Sequence, residues 1–188
     1  MRAALVLAAG GSRRFGRADK LLAPLHGRPL LLHAVEQARQ SGARRIYVVV
    51  SAPRVRRLIG HRRGVIVVQA RDPTQGLSAS LATGLRALRP IEREVLVFLG
   101  DMPFARAPRR MRVPAGSIAA RPVYRGMPGH PLLIRTLAAK HATLRGDTGL
   151  GGLSEVERVR GTPGNLIDID SRAALRRARS GSLGRPTR

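Results

Sequence analysis

Four short apolar runs, Ala3–Ala8, Ile46–Val50, Val65–Val68 and Val95–Leu99, alternate with stretches of helical periodicity, and this alternation leaves the chain few folds to choose from. Each run is rich in Val, Leu or Ile and is bounded by Gly, Pro or charged residues. A strand apolar at consecutive positions needs cover on both faces, which is the situation of a parallel strand between two helical layers. Leu30–Gln40, Val55–Ile59 and Leu77–Leu88 supply the helices, the last stopped by Pro90. The pattern predicts a doubly wound, three-layer α/β/α fold with a mostly parallel sheet, whose ligands sit at the carboxyl ends of the strands.

Beyond Asp101 the chain is broken by Pro103, Pro108, Pro114, Pro122, Pro128 and Pro131. Loops and short strands are expected there, at Ser117–Val123 and in a mixed-sheet strand near Leu132–Ile134. Helical character returns at Thr136–Leu144 and at Ser171–Ala178, where Ser171 is placed to cap. With 188 residues the chain suits one domain, read here as 1–178, followed by a basic, Gly- and Pro-containing tail at 179–188 that is expected to be disordered. The first residues read as a strand entering a loop rather than as a signal peptide, and no segment reaches the ~20 apolar residues of a membrane helix. With no cysteine to build a disulfide or a thiolate zinc site, a cytoplasmic location is the default expectation.

The formal charge of +24 raises nucleic acid as a partner, because clustered cations neutralise phosphates. Here the cations are nearly all Arg, Lys20 and Lys140 being the only lysines, and they are spread through every segment. Aromatic residues are 3% of the chain, leaving little for base stacking. The charge therefore reads mainly as a solvated surface whose field favours anionic substrates. A basic nucleic-acid-binding protein on an inactive enzyme scaffold is the competing class, as is a carrier that holds a cofactor without efficient chemistry.

Two segments carry the chemistry. Leu7-Ala8-Ala9-Gly10-Gly11-Ser12-Arg13-Arg14-Phe15-Gly16 follows the first strand, with Asp19 and Lys20 close behind. Adjacent glycines at a strand end let backbone N–H groups approach a triphosphate, and Arg14 and Lys20 can neutralise it. Gly11 and Gly16 have Walker-loop spacing, but Arg17 and Ala18 stand where Lys and Ser or Thr are needed, and Gly10-Gly11-Ser12 does not make a dinucleotide fingerprint. The second segment is Gly100-Asp101-Met102-Pro103 after the fourth strand. A carboxylate in a tight turn at a strand's carboxyl end suits a divalent cation held against phosphate oxygens, with a simple turn as the lesser alternative.

Together these segments resemble the molybdenum cofactor nucleotidyltransferases, with LAAG similar to the cytidylyltransferase branch. The resemblance extends in order through Gln75-Gly76-Leu77-Ser78-Ala79-Ser80-Leu81, Gly129-His130-Pro131, Gly146-Asp147-Thr148-Gly149 and Asp168-Ile169-Asp170-Ser171, from about Ala4 to Ala178. It implies a GT-A-like nucleotidyltransferase fold and a Mg²⁺- or Mn²⁺-dependent transfer of CMP from CTP to the phosphate of a molybdopterin-type acceptor, with a molybdoenzyme as a possible client. It also implies that Gly10, Gly11 and Ser12 cradle phosphates, Arg14 and Lys20 stabilise charge, and Asp101 holds the metal. Ala8, Ala9, Gly76 and Ser80 would lie at the base pocket, and His130 and Asp147 near the acceptor. Asp168 and Asp170, alternating along one strand edge, offer a second metal ligand, unless Asp170 or Ser171 caps the last helix. His26, His33, His61 and His141 show no metal-ligand spacing. The chain departs from the family pattern at Ala70, Pro73 and Gly151, where the family usually has Asn, often Trp and commonly Arg. A related enzyme using GTP, or acting on a sugar or alditol phosphate, is the nearest alternative.

Overall fold

The computed structural model describes residues 1–10, 15, 19–70, 76–141, 153 and 155–181. Its centre is β1 (Arg2–Ala8), flanked by β4 (Ile46–Val50) and β6 (Glu94–Leu99), both parallel to it. Beyond β4 lies β5 (Val65–Gln69), and beyond β6 come β9 (Leu132–Arg135), β7 (Ala119–Tyr124) and β10 (Val156–Arg160). Strand β9 is antiparallel to both its neighbours, so β6 and β7 run the same way. The short β8 (Met127–Pro128) pairs with β7, and β2 (Pro24–Leu25) with β3 (Arg28–Pro29) forms a separate hairpin.

Alternation along β1 divides the core between two faces. Ala4, Val6 and Ala8 meet α1 (Leu30–Gln40) and α2 (Pro53–Ile59), while Ala3, Leu5 and Leu7 meet α3 (Gly76–Ala87) and α4 (Thr136–His141). The α3 layer lies close because Gly84 faces the sheet, where an added Cβ would stand 2.4 Å from Leu5 Cδ1. A third apolar cluster, Phe15, Leu25, Leu30, Ile169, Leu175 and Ala178, is closed by α5 (Arg172–Arg179). Ser171 caps α5, its Oγ accepting from Ala174 N at 3.1 Å.

The chain enters at β1, moves outward through β4 and β5, then returns to the other side of β1 as β6. That reversal puts a switch point, where doubly wound sheets open a crevice, between the carboxyl ends of β1 and β6. The parallel strands β1, β4, β5 and β6, and α1, lie where the apolar pattern places them. Four corrections concern the remainder. The strand expected at Ser117–Val123 is shifted to Ala119–Tyr124, and α5 takes in Arg179. Asp168 and Asp170 lie in a non-strand segment, and β10 forms from a stretch with no clear strand signal. Residues 182–188 and the continuation of α4 toward Leu144 lie outside the described residues.

Candidate active site

Side chains at the switch point are placed by small residues and short apolar anchors. Gly100 lets the end of β6 pass tightly: a Cβ there would stand 3.1 Å from both Leu31 Cδ1 and Leu7 O and 3.3 Å from Leu21 Cδ2, and its N–H donates to Leu7 O at 2.9 Å. Leu21 belongs to a single-turn 3-10 helix, Lys20–Leu22, whose start is capped by Asp19 Oδ1 accepting from Leu21 N at 3.0 Å. Burying Leu21 beside Gly100 therefore brings its neighbour Lys20 to Asp101. From the other side, fully buried Ile169 donates its N–H to Asp101 O at 2.9 Å, which brings Asp170 to the same point.

The result is an ammonium between two carboxylates, with Lys20 Nζ 2.6 Å from Asp101 Oδ2 and 2.5 Å from Asp170 Oδ1. The Lys20 side chain is 11% exposed, so these bonds form largely out of water. Burial lowers the Lys20 pKa, but the charges and hydrogen bonds of Asp101 and Asp170 outweigh it, and the net shift is upward. Lys20 is thus a fixed cation at neutral pH. Ser171 caps α5, and Asp170 pairs with Lys20 instead of capping.

Asp168 lies beside this cluster, and its carboxyl is held above the ordinary range by lost hydration, by Asp170 and by Asp101. A carboxyl with a raised folded-state pKa favours folding below its unfolded value near 4 and loses that contribution as pH rises. Asp168→Asn is accordingly expected to melt about 1–3 °C higher than the parent at pH 7, with the two curves converging below pH 4. Paired thermal scans at the two pH values check this.

The remaining expected site residues fall as follows. Gly10 is exposed at the end of β1, and the side chains of Ala8 and Ala9 are buried in the core, leaving only their backbone for a ligand. Gly76 opens α3 at φ +79°, and Ser80 is buried one turn on, with its Oγ donating to Gly76 O at 3.4 Å. Ala70 is buried at the end of β5. Gly11, Ser12, Arg14, Pro73, Asp147 and Gly151 lie outside the described residues. His130 stands at the same end of the sheet, ahead of β9, with its ring Nδ1 3.4 Å from Val97 O. Desolvation lowers its pKa, and neighbouring Arg121 adds to this against the opposing charge of Asp101, so the imidazole is neutral.

Two residues here escaped the sequence reading. Asn165, 1% exposed, donates its amide to Arg106 O at 2.7 Å and His130 O at 2.6 Å, and accepts from Thr162 N at 2.8 Å. It fixes the Gly129-His130-Pro131 turn, where a Cβ on Gly129 would stand 2.4 Å from Asn165 O. The other is Arg121, on β7. An isolated Asn after Pro-Gly, or an Arg in a short strand, carries no periodic signal.

Asp101 and Asp170 offer hard oxygen donors facing one point, a set that suits Mg²⁺ or Mn²⁺. Among the described residues no three acidic or histidine side chains close a metal cage, so phosphate oxygens and water would complete the coordination.

Residues 4–161 match the family model for the MobA-like NTP transferase domain. The chain belongs to the MobA-like NTP transferase family. A probable molybdenum cofactor guanylyltransferase of Pyrococcus horikoshii is 39% identical over 104 residues, 53% of this chain and 48% of the relative. The bifunctional protein GlmU of Cellvibrio japonicus is 36% identical over 115 residues, 60% of this chain and 25% of that protein. The matches thus span about half the length of the first relative and a quarter of the second. Among solved structures, Rv0371c of Mycobacterium tuberculosis superposes with a TM-score of 0.79 at 26% identity, covering 95% of this chain and 97% of that one. The same protein has been solved in complex with manganese, with a TM-score of 0.75, 25% identity and coverage of 95% and 98%. A nucleotidyl transferase from Methanothermobacter, at 22% identity and a TM-score of 0.78 over 97% and 98% of the two chains, shares the fold. The MobA-like family member described here therefore has the GT-A-like, nucleotide-diphospho-sugar transferase fold. No described helix is long and apolar enough to cross a membrane.

Proposed function

We propose that the protein is a nucleotidyltransferase that transfers CMP from CTP to the phosphate of a molybdopterin-type acceptor and releases pyrophosphate. The observation that carries this reading is the Lys20 ammonium held between Asp101 and Asp170 at the switch point, at the end of the sheet where β1 leads into Gly10. A cation and paired carboxylates there suit a metal-triphosphate ligand, and family membership supports the same chemistry.

In the transfer, an oxygen of the acceptor phosphate bonds to the α-phosphorus of CTP as the bond to the β-phosphate bridging oxygen breaks, and pyrophosphate leaves. No protein nucleophile takes part, so catalysis rests on positioning and charge. A divalent ion, when bound, offsets the negative charge of the phosphate oxygens, and Asp101 and Asp170 are the residues to hold it. Lys20, freed from those carboxylates, turns its ammonium toward the triphosphate. Gly10, Gly11 and Ser12 supply backbone donors, Arg14 a second cation, and Ala8, Ala9, Gly76 and Ser80 the surroundings of the base. His130, held neutral, orients the acceptor with Asp147. A second reading, GTP in place of CTP, is favoured by the likeness to the guanylyltransferase.

Thermal unfolding with Mg²⁺ and each of CTP, GTP, ATP and UTP tests the reading. A triphosphate at 100 times its dissociation constant stabilises by about 2.7 kcal/mol, raising the midpoint by roughly 5–10 °C. CTP is expected to give the largest shift. A larger shift with GTP would replace the cytidylyl assignment, and no shift with any triphosphate would overturn the enzyme reading.

A further inference from the structure

Strands β7 and β10 carry a row of arginines that the nucleotide site does not use. Their parallel register sets Arg121 opposite Arg158 and Val123 opposite Arg160. Ala119 on β7 and Val156 on β10 both pack into the core under α3 and α4. Two residues further on, Arg121 and Arg158 leave the sheet on that same face, with Arg160 next in line. Since β7 runs parallel to β6, this row leads toward the strand ends where Asp101 stands, and His130 lies within electrostatic reach of both Arg121 and Asp101.

Among the described residues, Arg121 is a cation without an anion. Its Nε is enclosed and has no hydrogen-bond partner, and no carboxylate among the described residues pairs with Arg121, Arg158 or Arg160. The one acidic residue of β10, Glu157, alternates to the opposite face. Burial lowers the Arg121 pKa, the mark of a charge held against its hydration. Neighbouring strands lie about 4.8 Å apart, so Arg121 and Arg158 also repel each other. An arrangement that costs stability in the empty protein becomes favourable once an anion of two charges joins it, and guanidinium forks match phosphate oxygens two at a time.

We propose that Arg121, backed by Arg158 and Arg160, seats the phosphate monoester of the acceptor on the face of the sheet that α3 and α4 cover. The inference rests on the nucleotidyltransferase reading for the identity of the acceptor, while the seat itself is tested without nucleotide. It makes Arg121 the determinant of affinity for the acceptor's phosphate.

The test is the heat stability of the full chain in inorganic phosphate against chloride at matched ionic strength, for the parent, Arg121→Met, Arg158→Gln with Arg160→Gln, and Lys20→Ala. Phosphate is expected to stabilise the parent and Lys20→Ala alike, and to bind Arg121→Met at least 10-fold more weakly, with a smaller loss in the double variant. Without phosphate, Arg121→Met is expected to melt no lower than the parent, because a ligand seat relieved of an unpaired cation loses nothing, whereas a structural arginine would. Equal phosphate response in the parent and Arg121→Met, or a response lost only in Lys20→Ala, overturns the seat. In steady state with CTP and molybdopterin, Arg121→Met should raise the acceptor KM at least 10-fold and leave the CTP KM unchanged. An unchanged acceptor KM overturns the seat while leaving the enzyme reading intact, and absence of transfer by the parent overturns that reading and leaves the phosphate result to decide the seat.

Discussion

Asp101→Ala is expected to lower turnover by about 10²–10³-fold, the cost of removing one preorganised charged group from a transition state. Asp101 lies in the turn that follows β6, 2.6 Å from Lys20 Nζ. Removing it takes away one of the two carboxylates proposed to hold the metal and also releases Lys20 from half of its clamp. The fold should survive, because Gly100 and Ile169 still pack as before and Lys20 keeps Asp170. CTP binding should weaken less than turnover falls, since the triphosphate retains the glycine loop. Single-turnover rates beside the CTP midpoint shift separate the two effects. A variant that turns over normally would remove Asp101 from the chemistry.

Glu92→Ala is expected to have the largest effect on stability, at the opposite end of the sheet. Glu92, 1% exposed, accepts from Tyr47 Oη at 2.9 Å, from Arg45 Nη1 at 3.3 Å and from Arg89 N at 2.8 Å. Truncation would leave a buried hydroxyl and a cation without partners, which costs about 3–5 kcal/mol. For a chain of this size that lowers the melting midpoint by roughly 10 °C. The site lies about 20 Å away along β6, so CTP affinity of the folded variant should be unchanged. Burial first, and Glu92 second, push the Tyr47 hydroxyl up to about 12 from 10.0. Its contribution is therefore complete below pH 10 and is lost as pH rises toward 12. Tyr47→Phe should lose about 1 kcal/mol at neutral pH and flatten that alkaline decline.

These two carboxylates show what the sequence could and could not say. Asp101 was legible because it ends a buried strand within Gly100-Asp101-Met102-Pro103, and the strand itself was legible because both its faces are apolar. Leu30–Gln40 matched the observed α1 to the residue, since its apolar stripe and its flanking Pro29 fix both register and start. Glu92 was not legible: nothing local distinguishes it from a surface glutamate, and its burial is set by Tyr47 on a strand 45 positions earlier. Strand β10 was hidden for a related reason, because a charged edge strand such as Val156–Arg160 alternates too weakly to register, yet charge is what keeps an edge from pairing with other chains. Whether Asp170 or Ser171 caps the last helix was undecided in the sequence, and the structure gives the cap to Ser171 and pairs Asp170 with Lys20. Arg121 gains meaning only from the strand beside it, and strand register is a property of the folded sheet rather than of any window of sequence.

Nucleotide transfer at the switch-point cluster is measured most directly by following the label from α-phosphate-labelled CTP in the presence of Mg²⁺ and molybdopterin. Label is expected to pass to the acceptor with one pyrophosphate released per label transferred, and both are expected to stop in Asp101→Ala. Pyrophosphate-free consumption of CTP, or transfer that persists in Asp101→Ala, would contradict nucleotide transfer at this cluster.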